Sequence, residues 1–250
     1  ALELQSLILG ELGLEVPVAT TQVVGRDRYI EWVGWMANVA TSVEKILQEV
    51  RNLQRTEIGE VAEEFDAKKQ VGSSTMAHKK NPITAENACG LARVVRSMII
   101  PSYENALLWH ERDLANSSSE RFTLSHSMIL LDDVISKCDK VLSGLVVNRD
   151  RMRKNIEDQN GLIMAEKIML ELVDRGMPRD LAHEELMSAS MEAVESESNL
   201  QDICRNSDGI MKFFEEEEVA NLFAPETHLG SSEKIVDNSV SMAREMCSKY

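Results

Sequence analysis

Two short stretches of this sequence hold residues whose types and spacing suit work on an anion. The first, Gly72-Ser73-Ser74-Thr75-Met76-Ala77-His78-Lys79-Lys80-Asn81-Pro82, is rich in small hydroxyl side chains and carries two lysines. Its glycine admits backbone geometry that other residues resist, so the loop is able to close over a ligand. Asn81-Pro82 reads as an N-cap followed by proline at the first helical position. The positive end of that helix points back at the loop and favours an anion there. On composition alone the stretch reads first as an exposed linker between helices, because Gly, Ser, Lys and Asn are ordinary loop residues.

The second stretch is Arg112-Asp113-Leu114-Ala115-Asn116-Ser117-Ser118-Ser119-Glu120-Arg121. Ser117-x-x-Glu120 fits a capping box and places Ser117 at a helix start, where free backbone N–H groups make an anion site. Arg121 lies one turn on, on the same side, and Arg112 adds a second guanidinium able to grip phosphate in bidentate fashion. Spacing alone leaves an equal alternative, in which Ser117 only caps its helix and both arginines pair with carboxylates.

The elements that must position these stretches read as helices. An amphipathic run, Leu2, Leu4, Leu7, Ile8 and Leu12, ends at Gly13, and a loop with Pro17 spans residues 15–25. From Asp27 onward, Tyr29, Trp32, Met36, Val39, Val43, Ile46, Val50 and Leu53 recur at heptad spacing, which predicts a long rod and a bundle to hold it. Two further long patterns follow, over 83–108 and 120–145, and Pro101 is expected to kink the first. After about Asn148 the patterns shorten to roughly 162–174, 179–197 and 200–205, with a last one from Ser232. The expected architecture is all-α: a long-helix bundle over residues 1–150 and a small helical domain over 151–250. The acidic run Glu215 to Glu218 reads as a solvated face.

Composition bounds the function. With 43% hydrophobic and 28% charged residues the chain is globular, and a formal charge of −15 argues against a broad nucleic-acid surface. Any small anionic ligand must therefore meet a local island of positive charge. Four cysteines lie far apart with no C-x-x-C spacing, which favours a reduced, cytoplasmic chain over a disulfide framework. No apolar run reaches the roughly 20 residues that span a bilayer, so no membrane is expected.

The order of residues in Gly-Ser-Ser-x-Met-x-x-Lys-x-Asn-Pro resembles the signature of the fumarase and aspartase superfamily. The flanks, Ile83-Thr84-Ala85-Glu86-Asn87, Gly90-Leu91-Ala92-Arg93 and Trp109-His110-Glu111-Arg112-Asp113, look like its adenylosuccinate lyase branch. The resemblance implies an all-helical homotetramer with active sites shared between subunits, and elimination of fumarate from a nucleotide succinyl adduct. It implies Ser73 as general base, Lys79 and Asn81 on the substrate carboxylate and its developing charge, and Glu86 organising that group. Ser74, Asn87 and Gln22 would touch substrate, and Arg112, Ser117 and Arg121 would hold the phosphate. A proton taken from carbon beside a carboxylate leaves a dianion, so fixed positive groups are needed there, and a neutral serine must be activated by positive potential. The helix beginning at Asn81 and Lys79 are the available sources. No metal or organic cofactor is implied, because side chains supply base, acid and charge. Trp109 is expected to pack, and His110 and His126 to be structural. Argininosuccinate lyase and carboxymuconate cycloisomerase are alternatives that lack a phosphate to bind; a non-catalytic helical scaffold is the third.

Two departures stand out. Ala77 occupies the family's proline position, which loosens the loop. The family's general acid, a histidine in a Thr-x-His motif, has no counterpart here, and the helix already under way at Ala1 reads as the C-terminal portion of a longer protein. Alone, the chain is expected to turn over little or no substrate.

Overall fold

The computed structural model describes residues 1–64 and 80–249. The chain divides into two compact units, Ala1–Asn148 and Arg149–Tyr250. In the first, α1 (Leu2–Glu11) leads through a loop to α2 (Asp27–Leu53), followed by β1 (Val61–Ala62). Then come α3 (Ile83–Ser97), α4 (Ile99–Glu104), α5 (Ala115–Ser143) and β2 (Val146–Val147). The all-α expectation holds, with one addition: β1 and β2 pair antiparallel, Val61 opposite Val147 and Ala62 opposite Val146.

The core of this unit lies where α2, α3 and α5 meet. α3 carries Ala85, Ala88, Cys89, Ala92 and Val95 on one face, all buried, at the i, i+3, i+4, i+7 spacing of a helix stripe. These small side chains let α2 approach closely. They pack with Leu47, Val50, Cys138 and Val141 at one end, and with Val33, Met36, Ala40 and Leu131 at the other. Burying a residue such as Leu47 stabilises the fold by about 1.5–3 kcal/mol.

The heptad pattern of α2 is corrected in detail. Met36 and Val50 are buried, but Trp32 and Ile46 are each 46% exposed, and Ala37 and Ala40 take the inner positions. A straight helix turns once per 3.6 residues, so the buried stripe drifts off a strict 3.5-residue seam. The inner face against α3 also has room for alanines rather than rings. Trp32 instead stacks on Trp35, ring centroids 5.0 Å apart.

The expected helix over 83–108 is broken rather than kinked. α3 ends at Ser97, Met98 is shared between the two caps, and α4 restarts at Ile99. Pro101 thereby falls in the first turn of α4, where its missing N–H has no helical acceptor to lose.

The second unit contains α6 (Arg149–Glu157), a 3-10 turn (Leu162–Met164) running into α7 (Ala165–Asp174), α8 (Arg179–Glu195), α9 (Leu200–Asn206), α10 (Asp208–Met211), α11 (Glu216–Leu222) and α12 (Ser232–Cys247). Its core gathers Met164, Ile168, Leu172, Leu186, Leu200, Ile210 and Val219. The hydrophobic pattern missed α6, which buries none of its side chains, and α10 and α11, which are too short to show a period. Gly161 sits at φ +76, and a side chain there would meet the Phe223 ring at 3.0 Å, so backbone conformation and packing both require glycine.

The acidic run is more than a solvated face. Glu215 and Glu218 form a reciprocal capping box at the start of α11, where negative charge complements the helix dipole. Glu218 also receives two hydrogen bonds from Arg175, at 2.8 and 3.1 Å. Among the described residues no helix is long and apolar enough to cross a membrane.

Candidate active site

Ser73, Ser74 and Lys79 lie outside the described residues; Asn81, Glu86 and Asn87 do not. Asn81 and Glu86 line a cleft of about 990 Å³ between the start of α3 and the end of α2, with Arg51 from the last turn of α2, Arg55 just beyond it, and Lys80. Arg51 donates to the Gln48 side chain at 2.7 Å, while its buried Nε has no acceptor. In a chain of formal charge −15, three cations around one cleft make the local positive island that an anion needs. Asn87 is exposed one position further on.

The start of α3 differs from the sequence expectation. Pro82, not Asn81, occupies the N-cap, and no side chain of the cap residue bonds the helix. Asn81 instead accepts the Ile83 N–H on its backbone carbonyl at 2.9 Å. The amides that a capping side chain would take are those of Thr84 and Ala85, and the carboxylate of Glu63 accepts both, at 3.1 and 3.2 Å. Glu63 is only 8% exposed. Its own N–H donates to Gln54 Oε1 at 2.8 Å, and Gln54 Nε2 donates to the Lys80 carbonyl at 3.1 Å. The positive end of α3 is therefore already answered by a protein carboxylate rather than offered to a ligand. Glu63 gave no local signal in the sequence, because its partners lie 21 and 22 residues away.

The second stretch also starts differently. α5 begins at Ala115 with Leu114 as its cap residue, and the cap is built by Asp113, whose carboxylate accepts the Ala115 N–H at 2.8 Å and the Trp109 N–H at 3.0 Å. Ser117 is thus the third helical residue, and its N–H donates to the Leu114 carbonyl at 3.1 Å. The expected capping box does not form. Glu120 turns instead to Arg26, with Nε–Oε1 at 2.7 Å and a second contact at 3.3 Å. An aspartate two residues before a helix start is itself a capping signal, and here it prevails over the Ser-x-x-Glu pattern.

Ser117 and Arg121 are one turn apart on α5, so they share a face. Arg112, in the preceding turn, is half-buried with its Nε unpartnered, and the Asn116 side-chain oxygen is likewise buried without a partner. Such groups cost about 1–3 kcal/mol each when left unmade, and functional sites are where such costs are retained. Gln22 is exposed and lines a different cavity, of about 670 Å³, with Thr20 and Arg28. The described candidates thus fall at three places in the fold: Asn81, Glu86 and Asn87 at the start of α3, Arg112, Ser117 and Arg121 at the start of α5, and Gln22 in the loop before α2. Trp109 is 77% exposed, contrary to the packing role expected of it. His110 and His126 are also exposed, and the latter stacks on Phe122 at 5.2 Å.

The bundle of long helices formed by α2, α3 and α5 is the architecture of a class, the helical lyases. Solved structures agree: the chain superimposes on 3-carboxy-cis,cis-muconate lactonizing enzyme from Pseudomonas putida with a TM-score of 0.86 at 28% identity, covering 98% of this chain and 53% of that one. Fumarate lyase from Mesorhizobium sp. BNC1 gives 0.83 at 29% identity, covering 95% and 52%. The sequence profile of the lyase family matches residues 3–97, and the profile of the adenylosuccinate lyase C-terminus matches residues 161–239. The two matches fall one in each compact unit, so the chain is similar to this lyase family in both. Within it the similarity is to adenylosuccinate lyases: 43% identity over 244 residues to that of Archaeoglobus fulgidus, covering 98% of this chain and 55% of the relative. The enzyme of Methanothermobacter thermautotrophicus is 45% identical over 236 residues, covering 94% and 53%. The chain spans about half the length of the curated relatives it matches.

Proposed function

We propose that the protein containing this chain is an adenylosuccinate lyase, acting by anti elimination of fumarate. It converts adenylosuccinate to AMP and cleaves the matching imidazole-carboxamide intermediate (SAICAR) to AICAR. Ser73 takes the proton from the carbon beside a succinyl carboxylate, the carbon–nitrogen bond breaks as the alkene forms, and a histidine from elsewhere in the assembly protonates the departing nitrogen. Lys79 and the Asn81 side chain hold the carboxylate as its charge grows, and Glu86 orders them. Because Glu63 occupies the N-terminal start of α3, the positive potential that activates Ser73 comes from lysine and arginine rather than from the helix dipole. Gln22, Ser74 and Asn87 contact substrate, and Arg112, Ser117 and Arg121 take the phosphate. The resemblance to the family supports sites assembled from several subunits of a cytoplasmic homotetramer.

The observation that carries this reading is the identity of 43–45% to adenylosuccinate lyases across nearly the whole chain, against 28–29% to the muconate-type and fumarate lyases. The test is turnover of adenylosuccinate by the complete protein, followed by ultraviolet absorbance, in wild-type and Ser73→Ala forms. Loss of roughly 10²–10⁴-fold in kcat is expected on removing the base. A variant as fast as wild type removes Ser73 from the mechanism, and a wild type inert to both substrates removes the reading itself.

A further inference from the structure

A phosphate-binding face in an acidic protein faces a difficulty that α5 makes concrete. Ser117, Glu120 and Arg121 lie at i, i+3 and i+4, so the helix that presents Ser117 and Arg121 also presents a carboxylate beside them. Left alone, Glu120 would repel an incoming phosphate and compete for the Arg121 guanidinium. We propose that Arg26 is a specificity-determining residue, which frees this face for a phosphomonoester by sequestering Glu120. The proposal rests on the phosphate-binding role given above to Arg112, Ser117 and Arg121.

The geometry is that of a lock rather than a passing surface contact. Arg26 and Glu120 are 94 residues apart in sequence and meet through two hydrogen bonds, Nε–Oε1 at 2.7 Å and Nη2–Oε2 at 3.3 Å. Their side chains are only 12% and 16% exposed. The remaining guanidinium nitrogen, Nη1, donates to the Val24 carbonyl at 2.8 Å, and the Tyr29 ring lies 5.2 Å from the guanidinium carbon. Arg26 is thus held on three sides, and both Glu120 oxygens are engaged. Asp113, the carboxylate immediately after Arg112, is taken up by the Trp109 and Ala115 amides, while Glu111, immediately before it, is exposed to solvent. Among the described residues, neither Arg112 nor Arg121 forms an ion pair. In a chain with 42 acidic residues against 27 basic ones, two unpaired arginines beside two occupied carboxylates make a face on which an anion meets positive charge. Arg26 also stands four residues after Gln22, so the same pair fixes the end of the Gln22 loop against α5.

The test compares KM of the complete protein for adenylosuccinate with KM for its dephosphorylated nucleoside, in wild type, Arg26→Ala, and the double variant Arg26→Ala/Glu120→Gln. Arg26→Ala is expected to raise KM for the nucleotide about tenfold, as removal of one partner of a close charge pair commonly does, with KM for the nucleoside unchanged. The double variant leaves no bare carboxylate and is expected to recover the wild-type preference; it carries the test alone if the single variant does not fold. A wild type that binds both compounds equally overturns the phosphate site, and the proposal with it. A wild type that prefers the nucleotide, with Arg26→Ala raising both KM values alike or the double variant failing to recover, overturns the role of Arg26 only.

Discussion

Glu63 accepts the two amides at the start of α3 from a position that water barely reaches. Removing its carboxylate leaves the Thr84 and Ala85 N–H groups without an acceptor, and a buried donor so stranded costs about 1–3 kcal/mol. Glu63→Ala is therefore expected to lower stability by that amount in chemical denaturation, and Glu63→Gln by less, because an amide oxygen still accepts. Equal midpoints for both variants and wild type would show that solvent replaces the carboxylate. Because Asn81 precedes this helix start and Glu86 and Asn87 follow it closely, kcat should fall with Glu63→Ala as well. Ser117 and Arg121 were legible as a pair because i and i+4 share a helix face whatever the tertiary structure. Glu63 and Arg26 were not, since a carboxylate or guanidinium announces nothing about a partner 21 or 94 positions away.

At the scale of elements, α11 shows how a charge run acquires a purpose. The Glu218 carboxyl is held below the usual carboxylate range, first by the hydrogen bonds from Arg175 and then by the N–H of Glu215. A carboxyl whose pKa is depressed in the folded state stabilises fully above its unfolded value, near 4.3, and loses that contribution as pH falls through the folded value. Glu218→Gln should thus unfold at a lower temperature than wild type at neutral pH, and the two should converge as pH drops below about 4. A gap that stays constant with pH would assign the effect to the cap geometry rather than the charge. Being exposed, the pair contributes only modestly. The same scale explains the broken helix at Met98: proline was visible in the sequence, but a kink and a restart differ by one cap residue, which neighbouring packing chooses.

For the whole molecule, thiol accessibility offers a direct check on the two cores. Cys89, Cys138 and Cys204 are buried and Cys247 is exposed on α12; burial pushes the Cys204 thiol up to about 12. A thiolate-selective reagent at neutral pH is expected to label Cys247 at once and the other three only after denaturant is added. Rapid labelling of Cys89 or Cys138 would mean that the α2–α3–α5 core opens under native conditions. The sequence by itself determined that this protein is helical, that helices begin at or beside its two candidate stretches, and that it resembles lyases. Those features depend on local periodicity and on short motifs, which a linear string carries in full. Only the tertiary structure decided which face of α2 is buried, that Glu63 rather than Asn81 closes the start of α3, and that Glu120 belongs to Arg26 rather than to Ser117. Each of these is a choice between partners that local chemistry permits equally, and only packing brings one of them within hydrogen-bonding distance.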